Sequence, residues 1–325
     1  MLLRTLTAAR GPFHSPCAQR IYRRSFHSTR YWGQGNKQRQ HRLPPMYYDR
    51  RFWYCAGAAG TTGLVYYEYH IEESPTGRRR FNNVSPAYEQ QVGQQAYLET
   101  MAQYRRQIIP AGSTQTDRDV RRVAKRLISA TEMGSTDWEV HVIYAPDEKN
   151  AFVLPGGKIF VFSGLLDVTK NDAGLATVLS HEIAHQLARH SAEKLSQANL
   201  LGFLYIVASL FVDPSYLRLG QAASSLLLEL PNSRQCEQEA DQLGLYLMAK
   251  ACYDPAQAVA LWQRMKAAEL ASPPQFLNTH PSTDSRIENI RALVPQANMK
   301  REAANCPNQD LTRSFFDRFS TDAVY

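Results

Sequence analysis

Residues 181–185 read His-Glu-Ile-Ala-His, inside the longer run NDAGLATVLSHEIAHQLARHSAEKL. The apolar residues of that run suit a buried helix, in which two imidazoles four positions apart stand on one face. Both can then reach one metal ion. Glu182 follows the first histidine directly, where its carboxylate can meet a water on that ion and act as a base. With nine histidines in the chain, this spacing arises by chance with a probability on the order of 1%. The pattern therefore demands a largely buried helix. It also demands a second element carrying a further ligand, because a catalytic zinc takes three protein ligands and keeps one position for water. His190 lies about 140° around the helix from His185 and reads as a surface residue outside the ligand set.

The second element is sought in SRQCEQEADQLGLYLMAKA, which follows His185 by about fifty residues. Glu237 and Asp241 are one helical turn apart on one face. Glu237 can ligate a metal, and Asp241 can accept a hydrogen bond from the outer ring nitrogen of a ligating histidine and fix its tautomer. Glu239 points elsewhere. By spacing alone, a solvated acidic helix face is the more common explanation of such a cluster; the preceding helix with its two histidines raises the ligand reading.

Charge and cysteine usage narrow the class. The chain has 325 residues with 37 Lys and Arg, 30 Asp and Glu, and a net charge of +7. Nine of the basic residues lie in the first 48 positions, which hold no acid, leaving 28 basic against 30 acidic residues in the rest. The positive balance thus belongs to the N-terminus, and no nucleic acid is expected as a partner of the folded part. The five cysteines form no Cys-x-x-Cys pair, which excludes a thiolate zinc site and predicts scattered thiols in a chain folded mostly without disulfides.

The Arg- and Ser-rich, acid-free opening predicts a mitochondrial transit peptide over residues 1–30, followed by a basic matrix-side segment, 31–51. Residues 52–67, FWYCAGAAGTTGLVYY, carry no charge. They reach about 24 Å as a helix, and extension to Tyr69 with aromatic and snorkelling flanks makes a single transmembrane helix over 52–69. Arg50 and Arg51 before it and Glu68, Glu72 and Glu73 after it put the rest of the chain in the intermembrane space. Residues 70–84 read as a polar linker, 85–300 as the globular domain and 301–325 as a tail.

Within the domain, helices are expected from Ser85-Pro86 onward and over 117–130. The period then changes to that of strands at 138–144, 150–155 and 158–164, with Pro155-Gly156-Gly157 as a turn. Helices follow at 172–197, 199–212, 219–230, 232–251, 255–270 and 283–293. The class is α+β, mostly helical, with one small antiparallel sheet. The apolar stretch 198–212 is too short to cross a bilayer and reads first as a buried core helix, with an interfacial element as the alternative.

Four motifs in order, NAFVLPGGKIFVFSGLL, HEIAH, SRQCEQEAD and THPSTDSR, resemble the HtpX-like zinc metallopeptidases, the family of the CAAX prenyl proteases, over about residues 85–295. With the import segment and anchor, the likeness is to mitochondrial inner-membrane members. The resemblance implies a zincin-type (gluzincin) domain with one Zn2+ per chain held by His181, His185 and Glu237. It implies that strand 158–162 binds extended substrate by edge pairing. His280 and Arg286, of the segment H-P-x-x-x-x-R, would approach the site and stabilise the oxyanion, or His280 would occupy the open zinc position as a switch. The function so implied is endopeptidase cleavage of inner-membrane proteins in quality control or stress response, with the lipid bilayer as a partner and a homo-oligomer compatible with the pattern. The competing expectation is a catalytically silent anchored scaffold that keeps a structural zinc. A soluble aminopeptidase is disfavoured, since no second acidic cluster is present to grip a free amine.

Overall fold

The computed structural model describes residues 49–131, 133–134, 136–209, 233–269, 274–281 and 283–306. The expected transit peptide, nearly all of the basic segment 31–51, the helix 219–230 and residues 307–325 of the tail lie outside the described residues. The chain divides into two compact units, residues 1–56 and 57–325. The described part of the first is the start of α1 (Arg50–Tyr69), where the Asp49 carboxylate accepts from the Arg51 backbone N–H at 2.9 Å. This helix occupies the stretch expected to cross the membrane. Nevertheless, no helix among the described residues is long and apolar enough to do so. The glycines and tyrosines of α1 are the reason, since neither contributes much transfer free energy.

In the second unit the stretch after α1 is more ordered than a polar linker. The linker 70–84 contains an antiparallel pair, β1 (Ile71–Glu73) and β2 (Arg79–Phe81), turned at Gly77 with φ 83. Three-residue strands are too short to show a period of two, which hides them in the sequence. Helix α2 (Pro86–Gln103) starts where Ser85 accepts from the Tyr88 N–H and Pro86 needs no partner; α3 (Gln115–Ser129) starts on Thr114 in the same way.

The main sheet holds β3 (Glu139–Ile143), β4 (Ala151–Leu154) and β5 (Lys158–Phe162) in the order β3–β5–β4. The β4–β5 pair is antiparallel, closed by Gly156 and Gly157 at φ 92 and 82, but β3 pairs with β5 in parallel. The sheet is therefore mixed rather than antiparallel, because β5 returns between its two predecessors. This also overturns the assignment of 158–162 as an edge: β5 is central, and β4 is the outer strand beside the helix that follows.

After the short α4 (Leu166–Thr169), α5 (Asp172–Leu187) is capped by Asn171, whose side chain accepts from the Gly174 N–H. It is buried without interruption from Gly174 to Ala184, as expected of a helix apolar all round. The helix expected over 172–197 breaks at Ala188 and Arg189, where Arg189 takes φ 51, and α6 (His190–Ser209) leaves in a new direction. The corner is held by Arg80, which donates to the Ala188 carbonyl. Arg189 donates to Glu89 and to the Val84 carbonyl, each at 2.8 Å. Helices α7 (Arg234–Lys250), α8 (Ala256–Glu269), α9 (Phe276–Thr279) and α10 (Asp284–Ala303) complete the unit. The last runs ten residues beyond expectation, with Pro295 inside it.

The core packs α5 among α3, the sheet, α7 and α8. Leu127, Val161, Leu179, Ile183, Met248 and Trp262 are all buried, each worth roughly 1.5–3 kcal/mol of transfer. Two further expectations are amended. Cys252 and Cys306 form a disulfide, 54 residues apart in sequence and 5.4 Å between Cα atoms. The apolar stretch beginning at 198 is no core helix either: α6 exposes Leu201, Phe203, Leu204 and Ile206. The architecture remains mostly helical with small sheets, as expected.

Candidate active site

Helix α5 presents His181 and His185 one turn apart, with Nε2 atoms separated by 3.1 Å. Helix α7 crosses it closely because position 244 is glycine: a Cβ there would lie 3.0 Å from the Cα and N of His181. Glu237 and Asp241 precede Gly244 by two turns and one turn on the same face, so this crossing carries both carboxylates to the histidines. Glu237 Oε2 lies 3.4 Å from His181 Nε2, and its Oε1 lies 3.4 Å from His185 Nε2. Asp241 Oδ1 lies 3.0 Å from His181 Nδ1, on the outer side of that ring.

The loop after α9 adds His280, stacked on Phe276 with ring centroids 4.5 Å apart. Its Nδ1 is 3.0 Å from Glu237 Oε1 and 3.2 Å from His181 Nε2. Its Nε2 is 3.2 Å from Glu182 Oε1, without the alignment of a hydrogen bond, so that buried carboxylate oxygen has no partner. Arg286 on α10 donates from Nε and NH2 to the two Asp241 oxygens at 2.8 and 2.7 Å. Its NH1 lies 3.0 Å from Glu237 Oε2. The guanidinium sits on the face of Trp262, 3.6 Å from the ring centroid. Arg286 thus hydrogen-bonds Asp241, pairs with Glu237 and donates from NH1 to the Pro281 carbonyl at 3.2 Å, which sets the positions of both carboxylates. His181, Glu182, Glu237, Asp241, His280 and Arg286 are all buried.

The donor set fits zinc. One donor atom from each of His181, His185, Glu237 and His280 falls within 4.8 Å of all the others. Three imidazole nitrogens turned toward one another cannot all present protons without repulsion, whereas their lone pairs and a Glu237 oxygen can share one cation. Three nitrogens and one oxygen around a common point are what zinc takes. The surrounding carboxylates make this a place that favours positive charge. Burial alone would push His181 down, but Asp241 and Glu237 outweigh it and hold it at about 9. Burial also opposes the charge on Glu237, yet the three imidazoles keep its carboxyl far below the usual range. Burial raises Glu182, only partly offset by His280 and His181, which suits a group that must hold and release a proton.

Sequence reasoning missed His190. It is buried instead of exposed, because the break at Arg189 turns the first residue of α6 back toward α5. Its Nδ1 is 2.8 Å from His185 Nδ1, and its Nε2 is 3.2 Å from Glu239 Oε2. Only the left-handed residue at 189 could have signalled this, and Arg there gives no hint of it.

A histidine pair and a carboxylate from two crossed helices, with a glutamate beside them, define a metallopeptidase site, and the chain belongs to peptidase family M48, whose profile matches residues 114–294. It is similar to the mitochondrial metalloendopeptidase OMA1 of Schizosaccharomyces pombe, 43% identical over 281 residues, covering 85% of this chain and 82% of that protein. The human protein of that name is 33% identical over 271 residues, 76% of this chain and 50% of its own length. A more distant relative is the beta-barrel assembly-enhancing protease of Escherichia coli, 29% identical over 182 residues, 53% of this chain and 37% of that one.

Proposed function

We propose that this chain is a mitochondrial zinc endopeptidase, attached to the inner membrane, that cuts membrane-bound polypeptides in quality control or stress response. The observation that carries the reading is the meeting of His181, His185 and Glu237 with the Glu182 carboxylate beside them, whose Oε1 makes no hydrogen bond. Held by those three side chains, zinc would supply Lewis acidity for the scissile carbonyl and the attacking water. Glu182 takes the water proton on its carboxylate and returns it to the leaving amine. Asp241 holds the His181 ring through Nδ1, and Arg286 holds Asp241 and Glu237 in turn. His280 touches Glu182 and Glu237 at once; it serves either as a donor to the oxyanion, worth ~3 kcal/mol, or as a fourth ligand that withdraws.

Substrate in this reading adds to the outer edge of β4, since the backbone N–H of Val153 already points away from β5 to Glu182. Backbone pairing there holds a peptide extended without demanding sequence. For membrane attachment we assign α1, which exposes Trp53, Tyr54, Leu64, Val65 and Tyr69; Arg50 and Arg51 lie at one end and Glu68 just before the other. The charge order favours the intermembrane space for the catalytic unit.

Purified chain with Glu182→Gln should lose casein cleavage by about 10²–10⁴-fold while retaining one zinc per chain. Full cleavage by that zinc-loaded variant would overturn the assignment of the base. A wild-type chain that keeps zinc but cleaves no unfolded polypeptide would instead favour the scaffold reading.

A further inference from the structure

Behind the site lies a second buried cluster, which the proposed reaction does not use. His190, Glu193 and Cys236 bring donor atoms within 4.8 Å of one another, an arrangement that on composition alone could hold a metal. The Arg78 guanidinium already fills that role. It donates to both oxygens of Glu193, at 2.8 and 2.6 Å, and through Nε to Glu239 Oε2 at 2.9 Å, and lies 3.8 Å from Cys236 Sγ. Thr76 donates to the other Glu239 oxygen at 2.8 Å. Both residues belong to the β1–β2 hairpin, which lies outside the stretch matched by the family profile.

The hydrogen-bond chemistry of this chain runs in one direction. A carboxylate can only accept, so Glu239 takes the Nε2–H of His190. The Nδ1 of a neutral His190 is then an acceptor and takes the Nδ1–H of His185 at 2.8 Å. That leaves the lone pair of His185 Nε2 facing His181 and Glu237. We propose that His190 is a positioning residue that fixes the metal-competent tautomer of His185, and that the hairpin, through Arg78 and Thr76 on Glu239, holds His190 in place. The proposal rests on the metal-site reading of the preceding section. It means that the segment following α1 is wired to a zinc ligand through three side chains, so displacement of the hairpin weakens zinc retention.

The test is zinc affinity of the full chain, measured with zinc alone against a competing chromophoric chelator, with folding checked by circular dichroism. His190→Ala should lose about 10–100-fold in affinity. In His190→Asn the amide oxygen can stand where Nδ1 was and accept the same proton, so most of the loss should be restored. Arg78→Ala should lose about tenfold. His190→Ala within twofold of wild type, or His190→Asn no better than His190→Ala, would overturn the role of His190. Unchanged affinity in Arg78→Ala would overturn the role of the hairpin. Two zinc ions per wild-type chain would overturn the reading of the cluster as an Arg-filled network. A wild-type chain that binds no zinc, or a His181→Ala variant that binds as tightly, would remove the metal site itself, a result distinct from all of these.

Discussion

Gly244→Ala is the most economical probe of how the site is assembled. The added methyl would meet the Cα and N of His181 at 3.0 Å and the carbonyl carbon of Ser180 at 3.1 Å. These are backbone atoms of a buried helix, so they cannot rotate away, and α5 and α7 must part by a few tenths of an ångström. Overpacking of this kind costs about 1–3 kcal/mol. Exchanging glycine for alanine in a helix recovers about 0.5–1 kcal/mol, leaving a net loss of about 1–2 kcal/mol. For a domain of this size that lowers the thermal midpoint by roughly 3–6 °C. The same parting moves His181 from Glu237, so zinc affinity falls as well. Gly202→Ala in α6 is the control, because nothing lies within 4 Å of its added Cβ; that variant should gain about 0.5–1 kcal/mol. Denaturant titration of both variants decides the matter. If Gly244→Ala is as stable as wild type or more so, the close crossing of α5 and α7 is wrong, and with it the account of how Glu237 reaches the histidines.

Other expectations follow from the buried charges. Arg286→Ala takes two hydrogen bonds from Asp241 and an ion pair from Glu237, leaving both carboxylates only their imidazole partners, and the chelated protein should lose about 1.5–3 kcal/mol by urea titration. Burial pulls Glu193 up, but the hydrogen bonds and charge of Arg78 outweigh it and hold its carboxyl below the ordinary value. A carboxyl depressed in the folded state contributes stability above its unfolded pKa and loses it as pH falls through the folded one. The stability gap between wild type and Arg78→Ala should therefore be full at pH 6 and shrink below about pH 4.5. Burial pushes the Cys236 thiol up to about 11, so iodoacetamide at pH 8 should leave it unmodified in the folded chain and label it once the chain is unfolded in urea, as read by peptide mass spectrometry.

The local chemistry of the site was legible because it is written at helical spacing. His181 and His185 at four residues, and Glu237 and Asp241 at four, need only the geometry of one helix each, and the turn at Pro155-Gly156-Gly157 needs only its own residues. Whatever depended on two distant segments was not. The parallel pairing of β3 with β5 makes β4 the outer strand, and a strand's own sequence does not say which neighbour it takes. Cys252 and Cys306 meet only because α7 and α10 pack together. His190 was assigned to the surface by extending α5 through a residue that instead turns left-handed, which converts an outward angle into an inward one. Which side chains share a helical face is thus set by short-range periodicity. Which groups orient those ligands, and which element guards them, is set by long-range packing, where the free energy comes from burying side chains against partners that local sequence cannot name.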